Sequence, residues 1–160
     1  MALLHTLEST PVHHDALWEK SIQKRFCRKQ QNDEAGDDVF FSQFWQGFAW
    51  AAIIGFLNNK RIPLDTKTKN SSFRFGTIRR QGPEIADGLI LMAIAKSNKG
   101  ADILEDEVEL VNIMSEYAKG GASIIDEIRE TPGTENKFDF PDDFLAEIED
   151  RIVNEVKQDL

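Results

Sequence analysis

A chain of 160 residues with 41% hydrophobic and 29% charged content is long enough to bury about 70% of its unfolded surface in one core, and its Phe, Trp and Ile content excludes a disordered chain. The formal charge of −9 and pI near 4.8 lie far below the basic values of dedicated nucleic-acid binders, while the lone cysteine, Cys27, excludes an internal disulfide or CxxC metal knuckle. Residues 1–100 hold 14 Lys and Arg against 10 Asp and Glu, and residues 101–160 hold 5 against 18, a division that bears on partners rather than fold.

The opening stretch MALLHTLESTPVHHD has no charged segment followed by a sustained apolar run, so no signal peptide is predicted. With the cysteine count, this gives a reducing compartment, the cytoplasm, as the expected location. His13-His14-Asp15 is the histidine cluster, but adjacent helical residues point about 100° apart and do not meet one metal. A frayed segment without metal is predicted there.

Trp18, Ile22 and Phe26 recur every fourth residue and predict a helix from about Asp15 to Lys29. Cys27 lies in QKRFCRK, where cations lower a thiol pKa; an ordinary, partly buried cysteine is the plainer reading, since no motif supplies a histidine base. QQNDEAGDD then breaks the helix.

Val39 to Asn59 carries no charge. Helical from Val39 to Leu57, it would reach about 28 Å, near the thickness of a bilayer core. Three features favour a buried soluble helix instead. Ser42, Gln43 and Gln46 form a polar stripe; Asp37 and Asp38 before it, and Asn58, Asn59, Lys60 and Arg61 after it, suit helix ends; and the other helices need a shared apolar partner. Trp45, Phe48 and Trp50 suit either that core or an interface between copies.

The connector RIPLDTKTKNSSFRFGTIRRQGPE is predicted to be non-helical, with a short strand or two-stranded hairpin where Phe73 and Phe75 alternate with Arg74. Lys60, Arg61, Lys67, Lys69, Arg74, Arg79 and Arg80 cluster here, interrupted by one acid, Asp65. Clustered cations neutralise phosphates, and interleaved aromatics stack on bases. The competing account is a solvated loop whose phenylalanines plug the core.

Gly82-Pro83 opens a helix whose Ile85, Ala86, Leu89, Ile90, Met92, Ala93 and Ile94 cover most of its circumference. DILEDEVELVNIMSEYAKGG predicts another, with Leu104, Val108, Val111 and Ala118 inward and Gly120-Gly121 as its stop; ASIIDEIRE follows as a short helix. Residues 131–140 read as a linker, and Pro141 begins an acidic amphipathic helix over 141–160 with Leu145, Ile148, Ile152 and Val156 inward, docking on the domain or on a partner. The fold class is thus mostly all-α: residues 1–130 form one bundle of five to six helices around a buried central helix, with one short β-hairpin allowed. No GxGxxG, Walker A, HExxH or GxSxG is present. Glu105, Asp106, Glu107 and Glu109 occupy the first turns of a helix, where its dipole favours acids; the sharper alternative is an acidic surface for a basic partner, imitating DNA phosphates.

GFAWAAIIGFLNNKRIPL, LILMAIAKSNKGADILED and IMSEYAKGG resemble the Dnd-system-associated accessory proteins encoded beside bacterial DNA phosphorothioation genes. The likeness spans about Val39 to Ala122 and rests on Gly55-Phe56, Asn58, Arg61-Ile62-Pro63-Leu64, Ala93-Ile94-Ala95 and Tyr117-Ala118 before Gly120-Gly121, mostly apolar and turn residues. It implies association with sulfur-modified DNA and phage restriction, and brings no catalytic residue or cofactor to these positions. Two readings follow: a non-catalytic adaptor contacting DNA or a nuclease partner through the connector, or an acidic interaction protein binding a basic partner. Neither involves a membrane, and both leave a homo-oligomer open.

Overall fold

The computed structural model describes residues 2–27 and 40–130, and these are mostly helical, as the periodicity predicts. After α1 (Ala2–Ser9) the chain runs as β1 (Pro11–His14). Asp15 ends the strand and caps the next helix, its Oδ1 accepting from the N–H of Leu17 at 3.2 Å. Helix then continues through α2 (Ala16–Trp18), a wider π segment over Glu19–Gln23 and α3 (Lys24–Phe26). Trp18, Ile22 and Phe26 are all buried, as their spacing requires. Helix gives way to extended backbone at Cys27, which bridges Phe41.

The central helix, α4 (Phe44–Leu57), starts later than its hydropathy suggests. Gln43 and Gln46 form a reciprocal capping box, and the Oε1 of Gln46 accepts from the N–H of Gln43 at 3.2 Å. The polar stripe is therefore largely the start of the helix rather than a solvated face along it. Fourteen residues reach only about 21 Å, and among the described residues no helix is long and apolar enough to cross a membrane. Asn58 and Asn59 end α4: the amide of Asn58 bonds the carbonyl of Ile54 at 2.8 Å, and Asn59 takes φ 50°. Asp37 and Asp38 lie outside the described residues. Trp45 and Phe48 are buried in the core and Trp50 is half-buried against Phe26 and Phe41.

The expected strand is β2 (Asn70–Arg74), but its partner is distant. It pairs antiparallel with β1, with Pro11 opposite Arg74 and His14 opposite Asn70. The frayed terminus is corrected accordingly: pairing satisfies its backbone, and His14 is only 2% exposed.

The connector is not all loop either. Phe75 and Ile78, both buried, anchor the helix α5 (Phe75–Gln81). After Gly82, α6 (Pro83–Lys96) begins at Pro83 as predicted. It is not wrapped on all sides, because Leu91 is 67% exposed and its buried face is Ala86, Leu89, Met92 and Ala93.

A 3-10 turn over Gly100–Glu105 precedes α7 (Glu107–Glu130), which runs unbroken through Gly120 and Gly121. These glycines are a crossing point rather than a stop. A Cβ on Gly121 would collide with the carbonyl of Ala51, and one on Gly120 with the carbonyl of Lys60; on the facing helix, a Cβ on Gly55 would strike the carbonyl of Tyr117. Backbones this close replace side-chain packing with direct van der Waals contact. Val111 and Ala118 face inward as expected, whereas Leu104 and Val108 are exposed: Leu104 belongs to the 3-10 turn and not to the helix, and Val108 lies on the outer side of the first turn of α7. The predicted linker 131–140 and acidic helix 141–160 lie outside the described residues.

Candidate nucleic-acid interface

The connector from Arg61 to Lys69 has almost no regular hydrogen bonding of its own, yet the body of the protein fixes it at several points. Lys119 of α7 extends its Nζ between the carbonyl of Pro63 (3.0 Å) and the Oδ2 of Asp15 (2.7 Å). That Oδ2 also accepts from the N–H of Asp65 at 2.9 Å, and Thr68 Oγ1 accepts from the N–H of Ala16 at 3.2 Å. Burial raises the carboxyl pKa of Asp15, but the bonds from Asp65, Lys119 and the helix start outweigh it, and the pKa lies below its ordinary value.

His14 closes the arrangement from β1. Its ring lies 4.6 Å from that of Trp18, its Nε2 is 2.7 Å from Ser72 Oγ, and its Nδ1 is 3.0 Å from a carboxylate oxygen of Glu19. Burial lowers its pKa despite the nearby Glu19 and Asp15 carboxylates. Neutral imidazole is therefore the native form at neutral pH. Among the described residues no group of three or more His, Cys, Asp or Glu is placed to hold a metal.

On this frame the seven predicted cations separate into two sets. Lys60 pairs with Glu127 at 2.8 Å; Arg61 forks onto Glu116 at 2.7 and 2.9 Å, with Glu109 at 3.9 Å; Arg79 faces Glu8 at 3.6 Å. These three secure the connector and α5. Lys67, Lys69, Arg74 and Arg80 are exposed and have no ion-pair partner among the described residues. Lys69 precedes β2, and its charge adds to the effect of burial in lowering the pKa of His13; Arg74 ends the strand. The aromatics are not available for base stacking: Phe75 is fully buried, and Phe73 packs edge-on to Phe48 at 5.5 Å.

Arg74 and Arg80 also line an open cleft of about 330 Å³ with Glu8, Ser9 and Thr77. Its two walls are held together tightly. Gly76 lies so close to α1 that a Cβ there would sit 2.7 Å from the carbonyl oxygen of Glu8, and the N–H of Phe75 bonds the carbonyl of Thr10 at 3.0 Å.

The four predicted acids form the start of α7. Asp106 Oδ1 accepts from the N–H of Glu109 at 3.1 Å and Oδ2 from Lys99 Nζ at 3.2 Å, contacts that hold its pKa below the usual carboxylate range. Glu107 is the first residue of the helix, Glu109 approaches Arg61, and Glu105 is exposed at the end of the 3-10 turn. Cys27 is buried, and desolvation pushes its thiol up to about 12 against a smaller opposing effect of the Gly47 backbone, opposite to the lowering that the cations of QKRFCRK suggest.

Glu8, Ser9, Asp15, Thr77 and Lys119 were not singled out for these roles from sequence. Glu8, Asp15 and Lys119 join segments tens of residues apart, Ser9 and Thr77 meet only across the cleft, and no local pattern marks them.

A family model described as DNA sulphur modification system-associated protein 4 matches residues 23–151. No curated protein and no solved structure matches the chain. The chain belongs to the DNA sulphur modification system-associated protein 4 family. The matched span contains the whole connector and α7, and begins beyond α1 and β1.

Proposed function

We propose that this family member is a non-catalytic accessory of a DNA sulphur modification system, and that it contacts DNA phosphates through Lys67, Lys69, Arg74 and Arg80. The observation that carries the reading is the separation of the cations: three hold the fold, and four are exposed, Lys67 and Lys69 before the paired strand β2, Arg74 at its end and Arg80 in the helix that follows. A backbone anchored in advance leaves only these side chains to be ordered on binding a polyanion, which lowers the entropic cost. With both phenylalanines committed to the core, the contact is electrostatic and independent of base sequence.

The overall charge of −9 limits the affinity, which suits a subunit that adds a contact to a larger assembly rather than one that recruits DNA alone. Of the four acids around the start of α7, Asp106 caps the helix and pairs with Lys99 and Glu109 approaches Arg61, which leaves Glu105 and Glu107 for an acidic docking surface and favours DNA contact over it. No reaction is assigned: the buried thiol of Cys27 is a poor nucleophile at neutral pH.

Titration of a fluorescent duplex at low and at moderate salt tests the reading. Binding at low salt that weakens steeply as salt rises supports it. Failure to bind at either salt removes direct DNA contact.

A further inference from the structure

We infer that the cleft lined by Glu8, Ser9, Arg74, Thr77 and Arg80 is a site for a terminal phosphate, a phosphomonoester at the end of a DNA strand. This deepens the DNA-contact reading and rests on it. The first ground is charge. Glu8 is engaged by Arg79 at 3.6 Å, so Arg74 and Arg80 leave the cleft with two uncompensated positive charges. A terminal phosphate carries up to two negative charges on one group, whereas a phosphodiester carries one. Two guanidinium forks around one cavity match the dianion.

The second ground is shape. At about 330 Å³ the cleft is at the small end of ligand sites, enough for a phosphate and part of its sugar. The close approach of Gly76 to the Glu8 carbonyl keeps it from widening. The hydroxyl proton of Ser9 is already donated to the carbonyl of Thr6 at 2.9 Å, which leaves Thr77 as the free hydroxyl donor for a phosphate oxygen among the described lining residues.

The third ground is the long-range field. A chain of net charge −9 repels those phosphates of a polyanion that come within a Debye length, about 8 Å, of its acidic surface, so a compact ligand held at one cationic point is opposed least.

Fluorescence anisotropy with a short blunt duplex, once with phosphorylated and once with hydroxyl strand ends, tests the inference on the full chain, with inorganic phosphate followed in parallel by phosphorus NMR. The phosphorylated duplex is expected to bind about tenfold tighter or more, the worth of a charge-assisted bond. Arg74→Gln and Arg80→Gln, both at exposed positions, are expected to erase that difference. Lys67→Gln with Lys69→Gln is expected to weaken both duplexes equally. Equal affinity for the two duplexes overturns the terminal-phosphate site while leaving backbone contact in place. Binding of inorganic phosphate, lost in Arg80→Gln, without binding of either duplex overturns the DNA reading and keeps the cleft as a phosphate site; no response to any of the probes overturns both.

Discussion

Asp15 shows how one side chain can organise a segment 50 residues away. It caps a helix, accepts from the N–H of Asp65 and pairs with Lys119 while almost wholly buried. Removing one partner of such a pair leaves the other charge buried, so Lys119→Met is expected to cost about 3 kcal/mol in urea denaturation; a loss under about 1 kcal/mol would mean that the pair is not holding the connector. Both groups of this lock also tie stability to pH in the same direction. The folded pKa of Asp15 is depressed, so its contribution is present above the unfolded value near 3.9 and is lost as pH falls through the folded one. The folded pKa of His14 is also lowered, so the unfolded chain binds more protons, and stability falls as pH drops below about 6.5. The thermal midpoint is therefore expected to decline from neutral pH toward pH 5, and His14→Gln to flatten that decline; a midpoint that rises on acidification contradicts the arrangement. For Cys27, with its thiol pushed up to about 12, a thiol reagent at pH 8 is expected to label the native chain far more slowly than the urea-unfolded one, and equal rates would place it at the surface. The sequence hides these roles because His13-His14-Asp15 has the composition of a solvated terminus, and its partners Ser72, Asp65 and Lys119 are brought to it only by the fold.

The elements themselves are more legible than their ends. Four-residue apolar spacing locates the helix from Asp15, and Pro83 marks the start of α6. Gly120-Gly121 misleads because glycine serves two opposite physical ends. It terminates a helix where a left-handed residue is needed, and it continues one where another backbone passes within contact. Only the facing residues Ala51, Gly55 and Lys60 distinguish the cases, and they belong to a different helix and the turn after it. The crossing gives a paired test by chemical denaturation. Gly121→Ala is expected to destabilise by about 3 kcal/mol or more, as over-packing against a fixed carbonyl does. Gly88→Ala, in α6 with nothing within 4 Å of the added methyl, is expected to stabilise by about 0.5 to 1 kcal/mol. Similar effects at the two sites would mean that α4 and α7 do not approach as closely as described. The start of α4 carries a related lesson: hydropathy continues back to Val39, but the side chains of Gln43 and Gln46 offer the backbone a better bond than another turn of helix.

At the scale of the molecule, the strand at Asn70–Arg74 was readable but its partner was not, because β1 lies 56 residues or more upstream and local alternation favours a hairpin. The cation cluster was readable too, whereas its separation into structural and free members depends on acids from α1 and α7 that no spacing rule connects to it. The salt dependence of duplex binding tests that separation most directly, measured for the unaltered chain, for Arg61→Gln, and for a variant with Lys67, Lys69, Arg74 and Arg80 all changed to Gln. Four phosphate contacts give a slope of log affinity against log salt of about −3.6. Arg61→Gln is expected to lower the thermal midpoint and leave that slope in place, while the fourfold variant is expected to keep its midpoint and lose the slope. A slope that survives in the fourfold variant, or that disappears in Arg61→Gln while the chain remains folded, would contradict the account.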